Sequence, residues 1–274
     1  MPESTPEISN DAPQLVENPH ISFSELKEWT QCPFFHFLKR IQKVSTFNGN
    51  IFTTFGKAIH WVCETALLEN DFDTRKLIFL SKFDEELALL SEKPSEKDIE
   101  TFKSQADGII RDIIPAMRAK FGNFEIVACE QALYEHISGY LRTHYDFKGF
   151  IDLVIRTEDG KIHICDYKST SWGWDRNAKS NIITQYQLVL YKIFYAQKFG
   201  IDLKNIETHF ILLKRTAKKD CVEFIRVTSA AKKQDNAMKL LKNALSNIDK
   251  HFYMKNKLSC ARCEFKDKPE HCKR

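Results

Sequence analysis

The spacing of the apolar residues changes in character near residue 124. Before that point, apolar positions recur every three or four residues, which is the period of an amphipathic helix. From residue 124 onward, runs rich in β-branched and aromatic residues indicate strands, with two further helical segments among them. The predicted helices span 22–41, 52–69, 73–91, 95–120, 181–199 and 229–255, and the predicted strands span 124–135, 145–156, 161–168, 206–214 and 221–227.

This order of elements predicts an α/β fold with a mixed central sheet flanked by helices on both faces. The chain is expected to divide into four parts. These are a disordered acidic tail over 1–20, a helical lobe over 21–123, a sheet-containing core over 124–255 and a cysteine-cluster segment over 256–274.

Composition limits the class of protein. With 274 residues, 43% of them hydrophobic, the chain can bury one substantial core. It contains no apolar run near the roughly 18 residues of a membrane helix and no secretory signal pattern, so we expect a cytoplasmic protein without a membrane partner. The net charge is +4, and because residues 1–20 hold four acidic and no basic side chains, the remainder carries +8. That excess permits a polyanionic partner, but it also suits a merely soluble surface.

The most informative pattern is an acid and an amine on one strand. Because side chains alternate along a strand, Asp166 and Lys168 project to the same side. The Asp159-Gly160 turn signal pairs their strand with the preceding one and brings Asp152 near Asp166. Two converging carboxylates repel each other unless a cation lies between them, and oxygen ligands suit Mg²⁺ or Mn²⁺. An adjacent ammonium can assist phosphodiester hydrolysis. The alternative is an ordinary surface hairpin, which the apolar flanking residues disfavour.

These residues, with four further features, resemble the RecB-like branch of the PD-(D/E)XK nuclease superfamily. Residues 56–60 match its G-x-x-x-H helix motif, residues 149–152 its G-x-x-D motif, and residues 187–191 its Q-x-x-x-Y motif. Glu130 lies on the strand before G-x-x-D. The resemblance covers nearly everything after residue 21 and implies a restriction-endonuclease-like core.

The resemblance also implies roles for individual residues. The metal would be held by His60 from the helical lobe, Asp152, Asp166 and the carbonyl of Tyr167, while Lys168 would serve catalysis. Relatives often carry Glu at the position of Asp166. The remaining candidate catalytic residues are Gln187 and Tyr191, one helical turn apart over the site, and Glu130. The plainer alternatives are a core histidine for His60, core packing for Tyr191 and a solvated acid for Glu130.

Cysteines cluster near the two ends of the chain. Eight cysteines without a secretory signal indicate free thiols or metal ligands rather than disulfides. Cys260, Cys263 and Cys272 are close in sequence within a polar segment, and Cys32 begins a C-P-x-x-F segment. A subset of RecB-like nucleases is similar, and the resemblance implies that these four thiolates ligate a 4Fe-4S cluster. A zinc site that includes His271 is the alternative.

Aromatic and basic residues follow the D-x-K strand and suggest how DNA is held. Trp172 and Trp174, beside Arg176, could stack on unpaired bases or could be buried anchors of the loop. Lys214 and Arg215 lie where a hairpin crosses the surface and could contact phosphates, unless the turn is merely solvated.

The resulting hypothesis is a metal-dependent DNA exonuclease that acts on DNA ends, with a preference for single strands. Recombination, repair or phage DNA metabolism is the expected setting, in a bacterial or phage-infected cell, with recombination or replication proteins as possible partners. The alternatives are an endonuclease, a CRISPR-associated RecB-like nuclease, or a DNA-binding or Fe-S structural subunit without cleavage. A small-molecule enzyme is disfavoured because the sequence has no glycine-rich phosphate loop.

Overall fold

A computed structural model describes residues 19–44, 47–65, 71–140 and 145–273. The expected acidic tail therefore lies outside the described residues except for its last two positions, as do residues 66–69 of the second expected helix. Of the helices described, none is long and apolar enough to cross a membrane.

The elements follow the predicted order closely. The strands are β1 (His20–Ser22), β2 (Phe124–His136), β3 (Asp146–Thr157), β4 (Ile162–Thr170), β5 (Ile206–Lys214) and β6 (Val222–Arg226). The helices are α1 (Phe23–Gln31), α2 (Pro33–His36), α3 (Ile51–Thr65), α4 (Phe72–Ala88), α5 (Glu96–Phe121), α6 (Arg176–Ser180), α7 (Ile182–Phe199) and α8 (Ala231–Asp249). A π-helical turn at Phe37–Ile41 and 3₁₀ turns at Leu203–Asn205 and Lys257–Arg262 complete the list.

Local sequence signals set several helix ends. The side chains of Ser22, Ser95 and Asn181 each accept a hydrogen bond from the backbone N–H three residues later, which satisfies a donor that the first turn leaves free. Gly200 ends α7 at φ +63°, a left-handed conformation that glycine adopts without a Cβ penalty. At Pro33 the chain leaves α1 and begins α2, because proline fits the first turn of a helix but not its interior.

The sheet is mixed, with the order β1-β3-β4-β5-β6 and β2 also paired to β3. β2 runs antiparallel along the whole of β3, so β1 and β4 must share the other edge of that strand. β1 pairs with residues 146–148 of β3 and β4 pairs with residues 153–156. Residues 149–152 of β3 thus lie between these two partners, where the edge is open.

Helices cover both faces of the sheet, as predicted. On one face, α3, α4 and α5 pack against Tyr167 and Ile211 of the central strands. On the other face, α1, α7 and α8 pack against the sheet, and Phe147 stacks on Phe194 with ring centroids 4.4 Å apart. The expectation of a mixed sheet flanked by helices is confirmed. β1 was not predicted, because three residues are too few to show an alternating pattern.

Candidate active site

The candidate site lies where β3 and β4 separate. Their paired residues end at Leu153 and Cys165, so the backbone beyond this point lacks its antiparallel partner. The side chain of Asp152 fills the gap, and its Oδ2 accepts a hydrogen bond of 2.8 Å from the N–H of Tyr167. Since the N–H and C=O of one strand residue point to the same neighbour, the Tyr167 carbonyl also faces this gap.

Asp166 and Lys168 form the second half of the site. Lys168 Nζ lies 2.6 Å from Asp166 Oδ2, and Gln187 Nε2 donates to Asp166 Oδ1 at 2.6 Å. Asp166 is 1% exposed, so its charge depends on these two partners. Cys165 and Tyr167 belong to the core on the face opposite Ile164, as strand alternation predicts. The acid and the amine therefore share the face on which α7 packs.

His60 reaches the same gap from α3, on the opposite side of the sheet. Its Nδ1 is 3.6 Å from Asp152 Oδ2, and its ring stands edge-on to Tyr167 with centroids 5.7 Å apart. A continuous pair of strands would separate α3 from α7. The opening between β3 and β4 lets helices on both faces contribute to one site.

The electrostatics of the two acids favour the binding of a cation between them. Burial, followed by the neighbouring Asp166, raises the pKa of Asp152 well above its ordinary value. Burial also raises the pKa of Asp166, although Lys168 opposes this shift. Both acids are therefore costly to ionise together unless positive charge is added between them. Burial, then Lys168, lowers the pKa of His60 to about 4, so its imidazole is neutral at pH 7 and free to act as a ligand.

Lys168 is an ammonium in this site. Burial lowers its pKa, but Asp166 outweighs that effect, so that the pKa lies above its ordinary value. The lysine thus carries a positive charge at pH 7 that it can direct at an anionic substrate. As a group that already holds its proton, it is suited to stabilising negative charge.

Gln187 and Tyr191 lie together on α7 beside the acids. Gln187 Nε2 is 3.4 Å from the Tyr191 hydroxyl, and Tyr191 is 6% exposed within the core. The ring also explains Gly149, because a Cβ there would lie 2.8 Å from Tyr191 Cε1. Tyr191 therefore packs in the core and contacts the residue that orients Asp166.

Glu130 has an acidic neighbour, Glu64, that no motif in the sequence indicated. Glu130 lies between Cys129 and Gln131, whose partners Leu153 and Ile151 flank Asp152 on β3, and it has a left-handed backbone with φ +49°. Its side chain is hydrogen-bonded to Glu64, one turn after His60 on α3, and burial, then Glu130, raises the pKa of Glu64 to about 7. The spacing of four residues from His60 was the available signal, since it places both side chains on one face of the helix.

Lys27 of α1 is a second residue that the sequence analysis missed. The residue as a whole is exposed, but its ammonium is partly buried near Lys168 and Asp166 at the edge of the site. Burial of its ammonium and then the charge of Lys168 lower its pKa, while Asp166 opposes them. No sequence signal marked it, because its position depends on how α1 packs against the sheet.

The candidate DNA-binding residues of the loop after β4 differ in exposure. Trp172 is 76% exposed and Arg176 is also exposed. Trp174 instead packs against Phe210 with ring centroids 5.0 Å apart. Of the two tryptophans, Trp172 is the one with a face available to a ligand.

Lys214 and Arg215 have partners within the chain. The guanidinium carbon of Arg215 lies 4.9 Å from the ring centroid of Phe52 and 4.7 Å from that of Phe102. Arg215 also donates to Gln105 and Ser171, each at 2.7 Å. Lys214, with 14% of its side chain exposed, pairs with Glu223 at 3.7 Å. These contacts hold the β5–β6 turn against α5 and the loop that follows β4.

The four clustered cysteines come together despite their separation in sequence. Cys32, Cys260, Cys263 and Cys272 line one cavity, and all four are half-buried free thiols. Asn256 N–H donates to Cys32 Sγ at 3.2 Å, which ties the C-terminal segment to the end of α1.

No three of these thiols are gathered as closely as a single ion requires. Four sulfurs bound to zinc at about 2.3 Å would lie about 3.8 Å apart. Among the described residues, no three of these cysteines, with or without His271, place their ligand atoms within 4.8 Å of one another. A four-iron cluster binds each cysteine at a different corner and so requires more widely separated ligands.

Two solved structures and one family profile are similar to this chain to different degrees. A solved structure of a candidate exonuclease from Eubacterium rectale covers 99% of this chain and 96% of its own length, with a TM-score of 0.60 and 13% identity. A second solved structure, SSO0001, covers 91% of this chain and 96% of its own length, with a TM-score of 0.37 and 13% identity. No curated protein matches. The family profile described as the PD-(D/E)XK nuclease superfamily matches residues 20–268, and this chain therefore belongs to that superfamily.

Proposed function

We propose that this nuclease is a metal-dependent DNA exonuclease of the RecB-like branch, acting on DNA ends with a preference for single strands. The observation that carries the proposal is the meeting of Asp152, Asp166 and Lys168 in the gap between β3 and β4. All three groups that phosphodiester hydrolysis requires of this chain are present, which disfavours a purely structural subunit.

Mg²⁺ or Mn²⁺ fits the residues of this site. His60, Asp152, Asp166 and the Tyr167 carbonyl would hold the ion. They offer a neutral imidazole, two buried carboxylates that are costly to ionise together, and a carbonyl that faces the gap. When bound, such an ion supplies Lewis-acid stabilisation of phosphate charge and a more acidic water. The oxygen-rich donor set favours a hard cation.

The chain's own residues then orient the reactants. Gln187 fixes the carboxylate of Asp166, and Lys168 directs its ammonium at the negative charge that builds on the phosphate during hydrolysis. The hydroxyl of Tyr191, which lies in the core, accepts a hydrogen bond from Gln187 and so helps to hold that side chain in place. Glu130, Glu64 and Lys27 lie at the edge of the site. Their ionisation would set the local charge that the polyanionic substrate meets there.

Digestion of end-labelled DNA tests the activity. Linear single-stranded, linear double-stranded and closed circular DNA are incubated with Mg²⁺ or Mn²⁺, alongside Asp166→Ala as a control. We expect loss of the linear substrates, single strands first, and survival of circles. Cleavage of circles would show an endonuclease instead, and absence of cleavage of every substrate would favour the non-cleaving subunit.

We further propose that Cys32, Cys260, Cys263 and Cys272 ligate a 4Fe-4S cluster. Their common cavity supports it, as does the finding that no three of them lie within 4.8 Å of one another. Protein purified without oxygen should contain about four irons and four sulfides per chain and absorb visible light near the blue. One zinc per chain with no iron would refute the cluster.

Trp172 is expected to stack on an unpaired base, since its ring is exposed in the loop that follows the catalytic strand. Trp172→Ala should weaken single-stranded DNA binding by about 1–3 kcal/mol, or roughly 5- to 150-fold, in fluorescence anisotropy. Phe199→Ala is the matched control, because Phe199 is a 44% exposed aromatic at the far end of α7. Equal affinities for both variants would contradict the role of Trp172.

Asp152→Asn is expected to stabilise the metal-free protein. The pKa of Asp152 is raised in the folded state, so the unfolded chain ionises first and stability is lost as pH rises above the ordinary range of an aspartate. Asparagine does not ionise, so the variant does not lose stability as pH rises. Its side-chain oxygen can still accept a hydrogen bond from Tyr167 N–H. In EDTA at pH 7 we expect a Tm about 2–4 °C above wild type, the shift that about 1 kcal/mol produces in a chain of this size. In excess Mg²⁺ the wild type should instead have the higher Tm. If Asp152→Asn were less stable than wild type at every pH without metal, the prediction would be wrong.

A further inference from the structure

A second group of potential metal ligands lies on the face of the sheet away from Asp166. His163 stands at the start of β4, and Glu207 and His209 lie beside it on the parallel strand β5. The ring of Phe121, at the end of α5, covers both imidazoles at centroid distances of 5.0 and 5.2 Å. His163 and His209 are buried, whereas Glu207 has 20% of its side chain exposed. The group is therefore enclosed on one side and reachable from solvent on the other.

The distances within this group suit a single ion. His163 Nδ1 is 3.2 Å from His209 Nε2, and Glu207 Oε2 is 3.8 Å from the same His209 nitrogen. All three ligand atoms lie within 4.8 Å of one another. Two imidazole nitrogens bound to one ion at about 2.0–2.1 Å with tetrahedral angles are about 3.3 Å apart. The two imidazole nitrogens of His163 and His209 are therefore already close to the separation that one bound ion requires.

The hydrogen bonds of Thr157 fix the tautomer of His163, so that the lone pair on its Nδ1 is directed at the other two ligands. The Thr157 hydroxyl lies 2.6 Å from Asp159 Oδ1, and it donates its proton to this carboxylate because the contact is short and charge-assisted. The hydroxyl oxygen then accepts from His163 Nε2, which lies 3.0 Å away. His163 then carries its proton on Nε2, and Nδ1 is an unprotonated nitrogen directed at His209. A hydroxyl or carboxylate that fixes the tautomer in this way is a common support of a metal-binding histidine.

The two carboxylate oxygens of Glu207 have different partners. Oε1 forms ion pairs with Arg226 at 2.9 Å and with Lys161 at 3.7 Å. Oε2 faces His209 and has no basic neighbour other than that imidazole among the described ion pairs. The carboxylate can therefore keep its salt bridges while Oε2 binds a cation.

We propose that His163, Glu207 and His209 form a site for a zinc-class divalent ion, separate from the catalytic centre. Two imidazoles and one carboxylate are a donor set that zinc accepts, with a water as the fourth ligand. Metal binding requires the proton of His209 to move from Nε2 to Nδ1, a buried nitrogen for which the described residues supply no hydrogen-bond partner. The ion would clamp the start of β4, the strand that carries Asp166 and Lys168, to β5.

Zinc uptake by matched variants tests the site. The variants are Glu207→Gln and His163→Gln, and the control is Glu125→Gln. Glu125 also pairs with an arginine, Arg156 at 3.2 Å, and is not in the ligand group. Each intact, cofactor-loaded protein is dialysed against Zn²⁺ with excess Mg²⁺ to occupy the catalytic carboxylates. Bound zinc and Tm are then measured, with circular dichroism to establish folding.

Wild type and Glu125→Gln should bind one zinc more than the two site variants. Their Tm should rise by about 5–10 °C when free Zn²⁺ is about 100 times the Kd, and the Tm of Glu207→Gln and His163→Gln should not. An anomalous peak at the zinc edge between His163 and His209 should appear in crystals of wild type. Equal zinc content and equal Tm response in all four proteins would overturn the site, whatever the outcome of the DNA cleavage assay.

Discussion

Lys168→Ala is expected to reduce DNA cleavage by about 10²–10⁴-fold, the loss typical of removing one charge-stabilising or proton-handling group. The ammonium of Lys168 lies 2.6 Å from the buried carboxylate of Asp166, so a solvent cation cannot easily take its place. Asp166→Ala should have at least as large an effect, because it also removes an expected metal ligand. Both variants should still bind DNA, since the exposed aromatic and basic residues are unchanged.

Single-turnover rates with Mn²⁺, together with anisotropy binding, measure this prediction. Lys76→Ala is the matched control, because Lys76 also pairs with an aspartate, Asp107 at 3.0 Å, but on an exposed surface of the helices. Its cleavage rate should equal that of wild type. Undiminished manganese-dependent cleavage by both Lys168→Ala and Asp166→Ala would remove the proposed mechanism.

Cys260→Ser is expected to abolish the proposed 4Fe-4S cluster and to lower Tm by about 10–20 °C. Cys32 and Cys260 enclose more than 200 residues, and a cross-link over a loop of that length contributes about 5 kcal/mol to the free energy of unfolding. In a chain of this size that free energy corresponds to the stated shift in Tm. Visible absorbance and iron content should fall together with Tm.

Cys129→Ser is the control for loss of a thiol. Cys129 is also half-buried and free, but it lies on β2 and lines no part of the cysteine cavity. It should keep its iron and its visible absorbance. If Cys260→Ser kept both iron and Tm, these cysteines would not hold a stabilising cluster.

Local signals predicted the secondary structure well. The ends of α5 and α7 follow from Ser95, Asn181 and Gly200, whose capping acts within one turn of the chain. The turn between β3 and β4 follows from Gly160, which adopts φ +79°. These features were predictable because each depends on neighbours a few residues away.

The exposure of the loop residues was not predictable. Trp172 and Trp174 are two positions apart in an irregular segment, yet one is exposed and the other packs on Phe210. Arg215 is likewise in a polar turn but lies against two phenylalanine rings. No periodicity links such residues to a face, so only the packing of distant elements decides their surroundings.

The sequence by itself determined that Asp166 and Lys168 share a strand face, because side-chain alternation is a property of the backbone. It also determined the mixed sheet with helices on both faces, since the apolar periods specify the elements. Tertiary structure alone decided that β3 has an open edge between β1 and β4, where His60 and Gln187 reach the acids from opposite faces. It also brought Glu64 to Glu130 and His163 to His209, because such contacts depend on how strands and helices far apart in the chain are arranged.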